Sequence, residues 1–315
     1  MSVPVCVYVG DQLAGYGFGQ GHPFGPDRLG AFWTHAQASG LDRRVEQCAP
    51  VLAERTAIER FHTPEYVTRV IRQSASGSGY LDAGDTPAYP GVYESACYVV
   101  GSVLDAIERQ LRDDCRRALV PIAGLHHARR DTAAGFCVFN DCGIAIETLR
   151  AQHGLQRIAY VDIDAHLGDG VFYSFESDPD LVFADVHEDG RYLYPGTGMA
   201  EETGTGVARG TKLNIPMPPE ADDALFYPAW ERAEQFIDAG KPEFILFQCG
   251  ADSIAGDPIT HLRYSPAAHR HAAQRLCRLA DRHCHGRLLA LGGGGYNRGN
   301  LARGWTAVLE ALLEE

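Results

Sequence analysis

Residues 158–170 read IAYVDIDAHLGDG, an apolar run that ends in three aspartates and one histidine. The apolar part predicts a β-strand, in which alternate side chains share one face. If the alternation continues, Asp162, Asp164 and His166 point to the same side of the strand. Aspartate and histidine together bind first-row transition metals, and Zn²⁺ is the first candidate. The stretch therefore predicts a metal site at a strand end; the alternative is a strand-to-helix loop in which Asp-Gly merely turns the chain.

Three further apolar runs also end in chemically reactive side chains. The run 118–122 leads to Leu125-His126-His127-Ala128, the run 244–248 leads to Cys249-Gly250-Ala251-Asp252, and the run 288–291 leads to four glycines and Tyr296. Open α/β sheets bind ligands outside the carboxyl ends of their strands, so we expect these groups to meet at one edge. Each motif alone has an ordinary explanation, such as a surface histidine pair, a helix cap or a tight turn. Their joint appearance at four strand ends favours one shared site.

The spacing of the apolar runs predicts alternating strands and helices. Strands are expected near 3–9, 118–122, 157–162, 181–186, 211–215, 244–248 and 287–291, and helices near 27–39, 92–111, 139–152, 222–238, 266–283 and 300–313. Another helix should begin at Thr63-Pro64-Glu65, with threonine as the cap and proline in the first turn. Such alternation is typical of a mostly parallel sheet covered by helices on both faces, so the predicted fold class is α/β.

Length and composition fit one catalytic domain over residues 1–315. Hydrophobic residues make up 45% of the chain, and the one linker-like stretch, 74–79, is expected to be a surface loop. A formal net charge of −13 without a long basic cluster argues against direct nucleic-acid binding. No apolar run approaches about 20 residues and no leader is evident, so neither a membrane partner nor secretion is expected. Nine cysteines without paired spacing indicate reduced thiols, as in a cytoplasm.

Taken in order, the four motifs resemble the signature blocks of the zinc-dependent histone deacetylase family. That family includes bacterial acetoin-utilisation proteins and acetylpolyamine amidohydrolases. Further matching segments are 21–28, 135–140 and 194–198, so the resemblance covers nearly the whole chain. It implies an arginase-like three-layer αβα sandwich and an enzyme that hydrolyses linear amide bonds. A bacterial cytoplasmic enzyme is the simplest expectation, because the chain carries none of the extra tails that are usual in nuclear members.

The resemblance also implies two metal sites. Asp164, His166 and Asp252 match the catalytic zinc ligands, which leave positions open for water and a substrate carbonyl. Fe²⁺ also suits these ligands. A structural K⁺ is expected close to the zinc, with oxygens from Asp162, Asp164, His166, Asp185 and Val186. Asp185 stands where a serine is common and Leu167 where a second histidine is common, so we expect an altered potassium site and intact catalysis.

The same resemblance assigns catalytic roles to the paired histidines and the tyrosine. Asp162 would partner His126, and Asp169 would partner His127, so that each carboxylate fixes one imidazole. We expect His127 to be the principal base and acid and His126 to give electrostatic support. Tyr296 would donate its hydroxyl to the oxyanion that develops on the substrate; the alternative is a buried tyrosine after a glycine turn.

Further residues match the substrate-binding positions of the family. Gly135, Phe136 and Tyr194 correspond to the walls of a narrow tunnel for an acyl-lysine chain. Asp85 resembles the carboxylate at the tunnel rim that holds substrate backbone amides. Arg28 resembles the arginine of an internal channel that attracts released acetate.

The sequence leaves the substrate open between acylated lysine on a protein or peptide and a small acetylated amine such as an acetylpolyamine. Ile259 stands where some polyamine-specific members carry an acidic residue, which favours acyl-lysine because an aliphatic group does not stabilise a second ammonium. Glu201 and Glu202 could still supply negative charge near the tunnel entrance. A non-catalytic metal-binding protein is a more remote alternative, and an arginase-type enzyme lacks support because no further Asp-rich block surrounds Asp252. The oligomeric state is not indicated.

Overall fold

A computed structural model describes residues 5–19 and 21–314 of the chain. The strands are β1 (Val5–Tyr8), β2 (Glu46–Cys48), β3 (Arg117–Val120), β4 (Ile158–Asp162), β5 (Leu181–Glu188), β6 (Lys212–Met217), β7 (Phe244–Gln248) and β8 (Leu288–Leu291). The α-helices are α1 (Asp11–Ala14), α2 (Arg28–Ala38), α3 (Arg55–Ile58), α4 (Pro64–Ser76), α5 (Val92–Leu111), α6 (Asp141–His153), α7 (Asp169–Ser174), α8 (Asp223–Gly240), α9 (Pro266–His283) and α10 (Arg298–Leu312). Short 3₁₀ turns lie at Leu41–Arg43, Gly206–Ala208 and Ala251–Ser253.

The order of the strands explains how distant segments meet. All neighbouring strands in the described part pair in parallel, in the order β2-β1-β3-β8-β7-β4-β5-β6. The chain leaves a gap between β3 and β4, which β8 and β7 later fill. Because the carboxyl ends of parallel strands share one edge, the segments after β3, β8, β7 and β4 leave the sheet side by side. These four segments carry the predicted metal ligands, histidine pair and tyrosine.

Two groups of helices cover the sheet. Helices α2, α8, α9 and α10 pack against one another, and α3 to α7 form the second group. Every residue of β3, β4, β5, β7 and β8 is buried, as expected for a parallel sheet covered on two sides. The predicted three-layer αβα sandwich is confirmed.

Several local predictions can be compared with the structure. The helices expected over 92–111 and 266–283 match α5 and α9 to the residue. The Thr63 hydroxyl accepts a hydrogen bond from the Tyr66 amide (3.3 Å), which confirms the predicted cap of α4. The loop expected over 74–79 is wrong in its first half, because α4 continues to Ser76 and ends at a left-handed Gly77. The strand expected over 3–9 appears as β1, while residues 3–4 lie outside the described residues.

The cysteines and the apolar character of the helices were also predicted from the sequence. All nine cysteines are free and buried, in agreement with the expected reduced thiols. Among the described residues, no helix combines the length and the apolar character that crossing a membrane would require.

His62 is a buried titratable group that supports the start of α6. Its side chain is 2% exposed and lies among the rings of Phe61, Tyr66 and Phe139. The His62 Nε2 atom accepts a hydrogen bond from the amide of Asn140 (2.9 Å), the residue that caps α6. Burial lowers the pKa of His62 to about 3, so the imidazole is neutral in the folded protein near neutral pH.

This burial makes His62 a source of acid sensitivity. Below the ordinary histidine pKa of about 6.5, His62 becomes protonated in the unfolded chain but stays neutral in the folded protein. The free energy of unfolding therefore falls as the pH falls. We expect His62→Gln to remove about 2 kcal/mol of the stability loss between pH 7 and pH 5, measured by urea unfolding at both values. The exposed His285, replaced by asparagine, is the control. An unchanged pH dependence in His62→Gln would contradict this prediction.

Candidate active site

The predicted metal ligands lie together at the carboxyl edge of the sheet. One donor atom from each of Asp164, His166 and Asp252 lies within 4.8 Å of the others, and all three side chains are buried. The His166 Nδ1 atom is 3.0 Å from Asp164 Oδ1 and 3.2 Å from Asp252 Oδ2. Strand β4 ends at Asp162, so Asp164 and His166 converge through the loop after the strand. The expectation that strand alternation alone aligns them is therefore wrong beyond Asp162.

The spacing and chemistry of these donors fit a small divalent cation. Two donors bound to one tetrahedral Zn²⁺ at 2.0–2.1 Å are about 3.3 Å apart, close to the distances seen here. Burial alone would lower the pKa of His166, but hydrogen bonds to Asp164 and Asp252 raise it to about 10. The two carboxylates thus favour a positive charge between them, as expected for residues that bind a metal ion.

The outer oxygens of the two carboxylates are held by neighbouring donors. Asp164 Oδ2 accepts from Gln248 Nε2 (2.9 Å) and from the Gly294 amide (2.8 Å), and Asp252 Oδ1 accepts from the Ala165 amide (2.8 Å). A Cβ atom at position 294 would lie 2.1 Å from Asp252 Oδ2, so glycine is required for this close approach. These contacts orient the inner oxygens toward His166, as supporting contacts do in metal sites. Sequence reasoning missed Gln248, although a polar residue at the end of an apolar strand was an available signal.

The two predicted histidines each pair with a separate buried carboxylate. His126 Nδ1 lies 2.8 Å from Asp162 Oδ2, and His127 Nδ1 lies 2.7 Å from Asp169 Oδ1. Their Nε2 atoms are 3.1 Å apart. Both imidazoles line a small inner cavity together with Asp164, His166 and Tyr296.

The environment separates the pKa values of the two imidazoles. Burial would lower the pKa of His126, but the Asp162 and Asp164 carboxylates outweigh it and raise the value to about 9. Burial and the neighbouring His126 together lower the pKa of His127 to about 4. Two adjacent groups with opposite shifts are typical of acid–base sites, because one stays charged while the other can accept a proton.

Tyr296 is fixed by a carboxylate that sequence reasoning missed. Asp257 Oδ2 accepts from the backbone amides of Tyr296 (2.8 Å) and Asn297 (3.3 Å), while Oδ1 accepts from the Ile259 amide (3.1 Å). The glycines before Tyr296 give the backbone wide freedom, so this anchor limits where the phenol can lie. The carboxylate in the Gly-Asp-Pro turn after Asp252 was its sequence signal.

The two aromatic rings predicted as tunnel walls pack against residues that line the inner cavity. The Phe136 ring packs edge-on against Tyr296, with centroids 5.9 Å apart, and the Tyr194 ring packs against His127 at 5.1 Å. Phe136 has a left-handed backbone (φ 67°), held by hydrogen bonds from the Tyr16 hydroxyl and to Thr86. Such a conformation costs a bulky residue about 1–3 kcal/mol and is found mainly at functional sites.

A second cavity of about 480 Å³, the mouth cavity, opens to solvent next to the inner one. Asp82, Asp85, Arg129 and Tyr194 are among the residues that line it. Gly135 lines both cavities, and a Cβ atom there would lie 2.5 Å from the His127 ring. The two cavities therefore lie next to each other, and Asp85, predicted to lie at the tunnel rim, is among the residues of the mouth cavity. Arg129 was not identified from the sequence, since an arginine after a histidine pair carries no specific signal.

The remaining predicted substrate residues lie in different surroundings. Arg28 is fully buried, and its guanidinium donates to the carbonyls of Gly293 and Gly295. Among the described residues its Nη1 atom has no hydrogen-bond partner, which suits a site for a small anion. Ile259 is half-buried in the loop after Asp257 and is not among the residues that line the inner or mouth cavity.

The side chains predicted to hold potassium already accept other hydrogen bonds. Asp185 Oδ1 lies 2.8 Å from His187 Nδ1, and Oδ2 accepts from the Gly168 amide (3.0 Å). Asp162 Oδ1 accepts from the Asp164 amide (3.0 Å), and Oδ2 accepts from His126 and from the Tyr160 hydroxyl. Burial would lower the pKa of His187, but Asp185 raises it above its ordinary value. The potassium site at these oxygens stays a prediction.

Comparison with known proteins gives consistent similarities. The histone deacetylase domain matches residues 22–312. The chain is 34% identical over 290 residues to the acetoin utilization protein AcuC of Bacillus subtilis, covering 90% of this chain and 75% of that protein. It is 34% identical over 280 residues to a probable deacetylase of Archaeoglobus fulgidus, covering 88% and 77%. The crystal structure of the HD domain of HDA15 superposes with a TM-score of 0.91 at 25% identity, covering 99% of this chain and 89% of that one.

The donor geometry predicts one divalent ion for each chain. We expect Asp252→Asn to lose the ion, because the amide removes one anionic ligand while keeping the size of the side chain. Elemental analysis after dialysis against Zn²⁺ measures this directly. Cys6, Glu46 and Cys48 are the other described group with metal-like spacing, so Cys48→Ser is the matched control and should retain the ion. An Asp252→Asn protein that keeps a full equivalent of zinc would exclude this site.

Proposed function

The chain belongs to the histone deacetylase family, and we propose that it is a zinc-dependent hydrolase that removes acetyl or other acyl groups from the Nε atom of lysine side chains. One observation carries this proposal. A single inner cavity is lined by two metal ligands, both carboxylate-paired histidines and a tyrosine. These are the groups that metal-assisted amide hydrolysis requires.

We infer that Asp164, His166 and Asp252 hold the catalytic ion. When bound there, Zn²⁺ supplies a Lewis acid toward the amide carbonyl and lowers the pKa of a water molecule. Fe²⁺ is compatible with the same donors and remains the alternative. The contacts from Gln248 and Gly294 keep the Asp164 carboxylate oriented throughout the reaction.

The two paired histidines would have different roles, proton transfer for His127 and charge stabilisation for His126. The low pKa of His127 keeps its imidazole neutral near neutral pH, so His127 would accept a proton from the attacking water at Nε2 in place of its present contact with His126 Nε2 (3.1 Å). Asp169 holds Nδ1 and would stabilise the cation that forms. His127 then returns the proton to the departing lysine amine, which leaves as a neutral group. His126 remains charged beside it, held by Asp162, and stabilises negative charge that develops on the substrate.

Tyr296 would bind the oxyanion. Tyr296 lines the inner cavity with the histidines. Burial raises the pKa of its hydroxyl, so the phenol stays protonated and can donate a hydrogen bond to the oxyanion. One donor of this kind typically contributes 10²–10³ in rate. Asp257 acts on the reaction only through Tyr296 and is therefore a positioning residue.

A small acetylated amine, such as an acetylpolyamine, is the second candidate substrate. The specific observation in its favour is that two carboxylates, Asp82 and Asp85, line the mouth cavity. Acyl-lysine is preferred because the rings of Phe136 and Tyr194 pack against Tyr296 and His127, where they would contact the apolar part of a lysine chain, and because Ile259 is not acidic. Arg28 would attract the released acetate.

Other properties stay predictions. One catalytic domain over residues 1–315 is supported by the presence of β1 and β8 in the same sheet. A structural K⁺ ion would rely mainly on main-chain oxygens of Asp162, Asp164, His166 and Val186, since the Asp185 carboxylate is paired with His187. A cytoplasmic location rests on the sequence alone.

The proposed function is tested with a panel of acetyl-lysine peptides, longer acyl-lysine peptides and acetylpolyamines, assayed with zinc-loaded protein. We expect peptide hydrolysis with a loss of about 10²–10³ in kcat for Tyr296→Phe at unchanged zinc content. Preference for acetylpolyamines would move the assignment to the second candidate. No hydrolysis of any substrate, despite bound zinc, would exclude an enzyme of this kind and favour a metal-binding protein.

The positioning role of Asp257 gives a separate prediction. Replacing Asp257 by asparagine leaves only one oxygen to accept from the backbone, so the Tyr296 hydroxyl loses its fixed position. We expect kcat to fall about tenfold, with KM and zinc content nearly unchanged. In a Tyr296→Phe background the same change should have no further effect, because two residues of one functional unit are not additive. Asp113→Asn, at an exposed site, is the control, and additive losses in the double variant would show that Asp257 acts elsewhere.

A further inference from the structure

We propose that Arg129 makes the entrance selective for substrates that carry a carboxylate next to the acyl-lysine. The carboxylate can be the α-carboxylate of the acyl-lysine itself or the side chain of a neighbouring acidic residue. This inference rests on the proposed function and specifies the class of substrate. It follows from the charges that face the mouth cavity.

The mouth cavity contains charges of both signs. Asp82, Asp85 and Arg129 line it, and Arg129 is the one cationic residue among its described lining residues. Tyr194 lines the same cavity as these residues. The cation and the carboxylates therefore lie close to the same aromatic ring at the tunnel entrance.

Asp82 serves mainly to build its own loop. One of its oxygens accepts from the amides of Gly84 (2.9 Å), Asp85 (3.0 Å) and Thr86 (3.0 Å), and the other accepts from the Thr86 hydroxyl. The Asp85 carboxylate contacts the same hydroxyl through Oδ1 (3.1 Å) and retains accepting capacity. Asp85 is consequently the carboxylate of this loop that can meet an amide or ammonium group of a substrate.

Arg129 is held through its backbone and through one nitrogen of its guanidinium. Its backbone amide donates to the Thr132 carbonyl (2.9 Å), and its Nη2 atom reaches Asp169 Oδ2 at 3.3 Å. The side chain is 56% exposed, and a guanidinium has five N–H donors in a planar fork. One long hydrogen bond leaves enough of these donors to bind a carboxylate through two parallel hydrogen bonds.

Together, Asp85 and Arg129 are complementary to a substrate that carries an N–H donor and a carboxylate close to each other. An acyl-lysine chain that passes Tyr194 toward the inner cavity leaves its α-carbon substituents in the mouth cavity. Asp85 can then accept from the nitrogen on the α-carbon, and Arg129 can bind the nearby carboxylate. A polyamine would instead bring ammonium groups toward Arg129, and like charges repel. The chain as a whole has a formal net charge of −13, whereas Arg129 places a positive charge at the entrance. This charge would make the entrance selective for a substrate carboxylate.

Matched substrates that differ by one charge test this inference. The first pair is free Nε-acetyl-lysine and its α-carboxamide. The second pair is a short amidated peptide with acetyl-lysine followed by glutamate, and the same peptide with glutamine. We expect kcat/KM to be about fivefold higher for the charged member of at least one pair, and the preference should shrink as salt increases. The pair with the larger ratio identifies the source of the carboxylate.

Variants of Arg129 separate selectivity from a structural role. Arg129→Gln should bring the ratio of kcat/KM between the charged and the neutral substrate of each pair to one, whatever the absolute rates, and Arg129→Glu should reverse the preference. Arg112→Gln removes an equally exposed arginine away from the mouth cavity and should leave every ratio unchanged. An equal fall in kcat for all substrates in Arg129→Gln would mean that Arg129 only orients Asp169, and would overturn the inference.

A binding measurement keeps the inference independent of turnover. Calorimetric titration of the zinc-loaded Tyr296→Phe variant with Nε-acetyl-lysine and its carboxamide compares affinities directly. Tighter binding of the carboxylate form, lost in the double variant with Arg129→Gln, supports the inference even when turnover is slow. Hydrolysis of both members of each pair at equal kcat/KM overturns it while the proposed function stands. Failure to hydrolyse or to bind any acylated amine overturns both.

Discussion

Burial of several carboxylates at one edge of the sheet is the constraint on which the site depends. Asp162, Asp164, Asp169, Asp185 and Asp252 are each at most 1% exposed. A buried carboxylate is costly unless a cation or several hydrogen-bond donors compensate it. Here each carboxylate lies against an imidazole, and most also accept backbone amides. The imidazoles and the backbone amides of the neighbouring turns thus compensate the buried negative charge. A bound cation at Asp164, His166 and Asp252 would compensate it further.

Asp169 connects the inner chemistry to the entrance. One of its oxygens pairs with His127, and the other accepts from Arg129, a residue that lines the mouth cavity. The carboxylate lies at the start of the short helix α7, where the positive end of the helix dipole also favours negative charge. Asp169 therefore links His127, the proposed proton carrier, with Arg129, the residue proposed to bind a substrate carboxylate.

Local pattern predicted the long elements well and the short ones poorly. Helices such as α5 and α9 contain four or more turns, so their apolar periodicity defines both ends. Strand β2 and helices α1, α3 and α7 have three to six residues, too few for a period to be recognised. The end of α4 was misjudged because its serine-rich last turn resembles a loop, and only the left-handed Gly77 stops the helix. Tertiary packing overrides weak local preference in such segments.

The sequence by itself determined which residues carry the chemistry, because each reactive group follows an apolar strand and strand ends are encoded by local pattern. Only the tertiary structure decided which of them meet. The insertion of β8 and β7 between β3 and β4 depends on long-range pairing, which no local period specifies. The same is true of Gln248, Asp257 and Arg129, whose roles come from contacts with residues distant in the chain. Side-chain identity is local information, whereas a partner across the sheet edge is fixed only when the strands pack.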